Sequence, residues 1–236
     1  MLKLKQRKYD ESHGEVPIIV DASEPHMALT FILDRSSSME GDAIRSLNEG
    51  LNRFKQQVCE NKQTRNILDV SIISFNSSYQ EVQEFIPVEY MNHVNLSASG
   101  GTIMAPAIRK ALESVNERTR LYKQTGTQPY KPWCILVSDG APGDDITEVA
   151  EEIKAMEAAD KVSFRSLGVE GFNPEVLHKL SGKKVLKLDG LDFTDFFDWL
   201  SKSMASVSQS SPGEKPQVVP LEGNVTVDIA RIPDFD

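Results

Sequence analysis

The sequence is short of long apolar runs, of cysteine and of positive charge, and each shortage removes a class of function. No hydrophobic stretch in its 236 residues approaches the roughly 18 needed to cross a bilayer, so no membrane span is expected. The opening Met-Leu-Lys-Leu-Lys-Gln-Arg-Lys-Tyr-Asp-Glu carries charge with no apolar segment behind it, which does not read as a signal peptide, and a cytoplasmic location is expected. Cysteine occurs twice, Cys59 on a predicted helix and Cys134 inside a predicted buried strand, and both read as reduced core residues. With 26 basic against 35 acidic residues the formal charge is −9, which argues against nucleic acid as a partner, because affinity for a phosphate backbone needs a basic face.

What the chain does have is strand-like runs separated by helix-length segments. Ala28 to Leu33 is apolar except for Thr30, the pattern of a strand covered on both faces. Ile44, Leu47, Leu51, Phe54 and Val58 then recur at spacings of three and four, predicting a helix over 41–58. Strands follow at 67–75 and 79–87, the pair reading as a hairpin with one antiparallel edge strand, on which Pro87 is tolerated. A second helix is predicted from Ile103 to Lys123 with Pro106 in its first turn. Beyond it lie a strand from Trp133, a helix starting near Asp145 with Glu148 as the second member of a capping-box-like pair, and strands over 162–169 and 185–188. Helices over 174–180 and 193–207 complete the series. Such alternation implies parallel pairing through right-handed crossovers, hence an α/β doubly wound, mostly parallel sheet with helices on both faces. The expected organisation is an extension over 1–25, one domain over 26–207, and a linker with a tail over 208–236. Val16 to Val20 can lie on the domain or dock elsewhere, and the alternating Val225, Val227 and Ile229 can join a sheet edge of this chain or of a partner.

Three segments share a chemistry. Asp34, Ser36 and Ser38 place a carboxylate and two hydroxyls at alternate positions where the first predicted buried strand stops. Ser99-Gly100-Gly101-Thr102 brings a hydroxyl onto a glycine-rich turn ahead of a helix, and Trp133 to Gly140 is a second buried-type strand ending at Asp139. Taken singly, these are an Asp-Ser turn, a helix N-cap and a strand end. Taken together, they offer hard oxygen donors suited to magnesium.

This set resembles the von Willebrand factor A domain and its metal-ion-dependent adhesion site, whose pattern is Asp-x-Ser-x-Ser, a distant Thr and a distant strand-end Asp. The match falls on Asp34, Ser36, Ser38, Thr102 and Asp139 and covers about residues 26–207. Ser37 stands where the family often has glycine, which loses no ligand. The resemblance implies a Rossmann-like fold and a bound Mg²⁺, with Mn²⁺ or Ca²⁺ as alternatives. It implies that Ser36, Ser38 and Thr102 touch the ion while Asp34 and Asp139 orient waters and hydroxyls, and that a Glu or Asp of a partner protein completes the coordination. Within the family the chain is most similar to the stand-alone bacterial branch that includes the tellurite-resistance-associated TerY proteins. That branch implies a partner encoded alongside, a phosphatase or kinase of a stress-response or defence cluster.

The competing expectation is a magnesium phosphohydrolase with Asp34 as nucleophile. It wants a second acid where Ser36 stands, and a cation to hold the phosphate. His13, His26, His93 and His178 show no metal-type spacing, Ser138-Asp139 lacks triad partners, and no phosphate loop follows the first strand. Catalysis is therefore not expected.

Overall fold

The computed structural model describes residues 7–10, 14–182, 184–214, 217 and 219–229. Strands β1 (Arg7–Asp10) and β2 (Gly14–Pro17) form an antiparallel hairpin. Val16 is buried, and Ile19 packs against the core, so this segment lies on its own domain. The remainder runs β3 (Met27–Asp34), α1 (Asp42–Glu60), α2 (Lys62–Ile67), β4 (Leu68–Phe75), β5 (Tyr79–Pro87), α3 (Ala105–Thr125), β6 (Trp133–Ser138), α4 (Thr147–Ala158), β7 (Ser163–Gly168), α5 (Pro174–Ser181), β8 (Lys184–Leu188), α6 (Thr194–Ser208) and β9 (Val225–Ile229).

Seven strands make one sheet in the order β5-β4-β3-β6-β7-β8-β9. The pairs from β4 through β8 are parallel, and β5 is the expected antiparallel edge. On the opposite edge, β9 pairs antiparallel with β8, which places the tail strand on this chain. Short helix α2 was not foreseen; Asn61 caps it by accepting from the Thr64 amide.

Strand β3 sits centrally and is buried at all eight positions. Its side chains part by parity, as the pleat requires. Leu29, Phe31 and Leu33 enter the core beneath α1 and α6, whereas Ala28 and Ile32 enter the core beneath α3, α4 and α5. The first core is aromatic at its centre: the Phe31 and Phe54 rings meet edge-to-face at 5.4 Å, and Phe196 and Phe197 do so at 5.1 Å. Thr30 is the polar exception, and its hydroxyl bonds that of Ser71 on β4 at 2.7 Å.

A buried charged cluster closes the end of the sheet where β3 and β4 begin. Asp69 Oδ2 accepts from Arg118 Nη2 at 2.8 Å and from the Tyr122 hydroxyl, and lies 3.3 Å from His26 Nδ1. Arg118 also donates to the Ile18 carbonyl, tying the N-terminal segment to α3. Burial pushes the Asp69 carboxyl up, but the Arg118 guanidinium, then His26 and Tyr122, outweigh that and hold it below the usual range. Its ionised form is thus worth stability above the unfolded pKa, near 3.9, and that stability is lost as pH falls through the depressed folded value. Replacing Asp69 by Asn strands Arg118 as an uncompensated buried cation and should cost about 3–5 kcal/mol near neutral pH. Urea unfolding of both proteins across the acid range is expected to show a constant gap above about pH 4 that closes below it; a gap that widens in acid would contradict this reading.

Candidate functional site

Asp34 is the last residue of β3 and Asp139 follows the last residue of β6, its parallel neighbour, with Leu33 opposite Val137. From β3 the chain first moves out to β4 on one side and later to β6 on the other. The carboxyl ends of β3 and β6 are therefore the point where strand order reverses, the place where crossovers lead away from each other and leave a crevice.

Asp34 is fully buried and both its oxygens are held. Oδ1 accepts from the Ser36 amide at 2.8 Å, and Oδ2 accepts from the Ser138 hydroxyl at 2.6 Å. Ser138 Oγ in turn accepts from the Gly140 amide at 2.9 Å, so one hydroxyl links the two strand ends. Burial pushes the Asp34 carboxyl above the usual carboxylate range, the Ser138 and Ser36 donors draw it back, and the nearby charge of Asp139 adds to the rise. Among the described residues no cation forms an ion pair with either carboxylate.

The hydroxyls lie around this pair. Ser36 Oγ is 3.0 Å from Ser38 Oγ, with Ser36 buried and Ser38 exposed. The Ser37 amide donates to the Gly100 carbonyl at 3.0 Å and the Ser99 amide to the Arg35 carbonyl at 2.8 Å, which stitches the Asp-Ser loop to the turn carrying Thr102. Thr102 is half-buried, and its carbonyl accepts from the Gly143 amide at 2.7 Å, joining the same turn to the loop after Asp139. Direct bonds thus unite Asp34, Ser36 and Ser38; Ser138 and charge couple Asp139 to Asp34; Thr102 is tied in through the backbone. Gly100 (φ 76°) and Gly140 (φ 67°) adopt left-handed conformations at the two later loops. A Cβ on Gly100 would lie 2.8 Å from Ser77 Oγ.

Three residues support the site through contacts that the sequence reading did not place. Ser138, set aside in the sequence as a triad candidate, acts instead by donating to Asp34, a role that depends on the parity turning it that way. Asp144 caps α3 rather than its own helix: Oδ1 and Oδ2 accept from the Met104 and Ala105 amides at 2.9 and 2.8 Å. Ser77 Oγ accepts from the Gly101 amide at 2.9 Å. The expected capping pair does not form. Asp145 accepts from the Thr147 amide and hydroxyl, while Glu148 bonds Arg109 on α3 at 2.8 Å. Among the described residues no cluster of three His, Cys, Asp or Glu is placed to hold a metal. What the site offers is two carboxylates amid hydroxyls, a set that suits a hard divalent ion. The Cys134 thiol is buried, which raises its pKa, Cys59 is half-buried against the first core, and both are free.

The sequence profile of the von Willebrand factor type A domain matches residues 28–196. No curated protein sequence matches the chain. Among solved structures, the pilus adhesin SpaC of Lactobacillus rhamnosus GG in its open conformation superposes with a TM-score of 0.62 at 14% identity, over 78% of this chain and 30% of that one. The vWF domain of the type V pili tip protein Mfa5 of Porphyromonas gingivalis gives 0.57 at 8%, over 79% and 97%. The ArnB paralog VWA2 of Sulfolobus acidocaldarius gives 0.53 at 16%, over 76% and 45%. At such identities the likeness is one of fold. The chain spans less than a third of SpaC and under half of VWA2.

The Ser138 bridge is directly testable. Ser138→Ala removes a donor from a buried carboxylate and an acceptor from a buried amide, and should lower the unfolding free energy by about 1–3 kcal/mol. Ser37→Ala, at an exposed neighbour, should leave it within about 0.5 kcal/mol of wild type. Equal effects in urea denaturation would remove Ser138 from the site's framework.

Proposed function

Because the chain belongs to the von Willebrand factor type A family, we propose that it is a metal-dependent protein-interaction module, with Asp34, Ser36, Ser38, Thr102 and Asp139 holding Mg²⁺ as a metal-ion-dependent adhesion site. The observation that carries the reading is the Asp34 carboxylate, wholly buried beside a second carboxylate with no cation paired to either among the described residues. Such a pair is costly unless a positive charge offsets it. The ion supplies that charge together with a Lewis-acidic coordination position that an incoming Glu or Asp can take.

The chain's own residues do the rest. The Ser36 amide and the Ser138 hydroxyl fix both oxygens of Asp34, so the carboxylate cannot rotate freely, and it is set to order the hydroxyls around it. Ser36 and Ser38 present adjoining hydroxyl oxygens, one buried and one open to solvent. The exposed side is where a partner's acidic side chain approaches. Hydroxyls place less negative charge on the ion than carboxylates would, which keeps it attractive to an anion.

Catalysis is not part of this reading: Ser36 occupies the place a second acid would need, and no basic side chain pairs with the carboxylates among the described residues. The partner is a protein bearing a Glu or Asp. The TerY-like resemblance directs the search to a phosphatase or kinase encoded beside this chain and to the cytoplasm. Among the described residues, no helix is long and apolar enough to cross a membrane.

Calorimetry with MgCl₂ on wild type and Thr102→Ala is expected to show saturable binding that the substitution weakens on the order of 10–100-fold. Pull-down in Mg²⁺ and in EDTA should then retain a partner only with the metal. Retention in EDTA, or by Asp34→Ala, would remove the metal bridge.

A further inference from the structure

A cleft of about 890 Å³ opens at the other pole of the sheet, between the C-terminal half of α3, the starts of β6 and β7, and the turn after α6. Trp133 at its wall pairs with Leu29, five residues before Asp34, which puts the cleft roughly 16 Å from the oxygen site along the strands. Its composition runs against the rest of the molecule. On a chain of net charge −9, five cationic side chains line it, Arg120, Lys123, Lys131, Lys161 and Arg165, against the acids Asp160 and Glu214.

Asp160 is engaged with Lys131 at 2.6 Å, and Glu214 accepts from the Ser211 amide at 2.9 Å. Arg120, Lys123, Lys161 and Arg165 form no ion pair among the described residues. Arg165 is held in place by stacking: its guanidinium carbon lies 4.6 Å from the centroid of Trp133, whose own ring packs on Trp199 at 6.4 Å. The Arg165 Nε is buried without a hydrogen-bond partner. Desolvation draws the Arg165 pKa down, opposed only by the charge of Glu157, as expected of a cation short of its counter-ion.

We propose that this cleft is a second binding site, for a phosphate group, separate from and independent of the metal site. A stacked guanidinium presents its donors in a fixed fork that matches an oxyanion, and lysines add mobile point charges around it. Four cations that form no ion pair among the described residues are better balanced by a doubly charged phosphate than by one carboxylate. The volume accommodates a phosphorylated side chain or a small phosphometabolite, and the acidity of the whole chain disfavours a nucleic-acid strand.

The full chain in EDTA, at low salt, is titrated with inorganic phosphate, with a phosphoserine peptide and with the same peptide unphosphorylated, following heat and tryptophan fluorescence. Saturable binding of phosphate and of the phosphopeptide, but not of the unmodified peptide, is expected. A phosphopeptide that binds more tightly than inorganic phosphate identifies a protein-borne source, and the reverse identifies a free metabolite. Arg165→Gln should weaken binding about tenfold or more. Lys123→Gln combined with Lys161→Gln, both exposed and in no ion pair among the described residues, should weaken it and flatten its salt dependence, and decides the matter if the Arg165 variant does not fold. No saturable binding up to about 10 mM, equal binding of the unmodified peptide, an unchanged lysine variant, or a requirement for Mg²⁺ would overturn the proposal.

Discussion

A carboxylate sealed inside the protein at the end of its central strand, with a second one beside it and, among the described residues, no basic side chain paired with either, is the constraint around which this pole of the sheet is arranged. Ionised groups in the interior need hydrogen bonds and opposite charge. Asp34 has the hydrogen bonds, from the Ser36 amide and the Ser138 hydroxyl. The loops that supply them are themselves cross-linked, Ser37 to Gly100, Ser99 to Arg35 and Gly143 to Thr102, so three distant stretches of chain behave as one rim. The missing charge is what the family's metal site would provide.

The opposite pole solves the same problem within the protein. Asp69 is as deeply buried as Asp34, yet Arg118, Tyr122 and His26 converge on one of its oxygens and keep it ionised. Two aspartates at opposite ends of adjoining strands thus meet burial differently, one with an arginine and one without. This contrast, more than the presence of acidic residues as such, is what makes Asp34 rather than Asp69 the carboxylate of the proposed metal site.

The sequence made the sheet and its helices legible wherever a single element carried its own signal. The apolar run of β3, the stripe of α1 and the first-turn Pro106 of α3 are local patterns, and the structure follows them closely. The extra antiparallel edge formed by β9 and the docking of Val16 were undecided because pairing partners lie far away in the chain. Helix α2 is one turn and a half long and has no periodicity to read. The capping pair at Asp145 and Glu148 is absent because α4 begins only at Thr147, where Asp145 accepts from Thr147, and Glu148 is taken by Arg109 of another helix. At the candidate site, the oxygen-bearing residues were nominated by their motif, whereas the contacts of Ser138 and Ser77 depend on side-chain direction and loop contact, which one-dimensional spacing does not encode.

The parity of β3 has a further consequence. Its odd and even residues belong to separate cores, and Asp34 shares the face of Ile32. Deleting or inserting one residue between Met27 and Leu33 would trade the occupants of the two layers and rotate the terminal carboxylate by half a turn, away from Ser138. Changes of length should therefore be excluded from this strand yet admissible in the linker between α6 and β9, so the two segments differ sharply in how much length variation the fold can absorb.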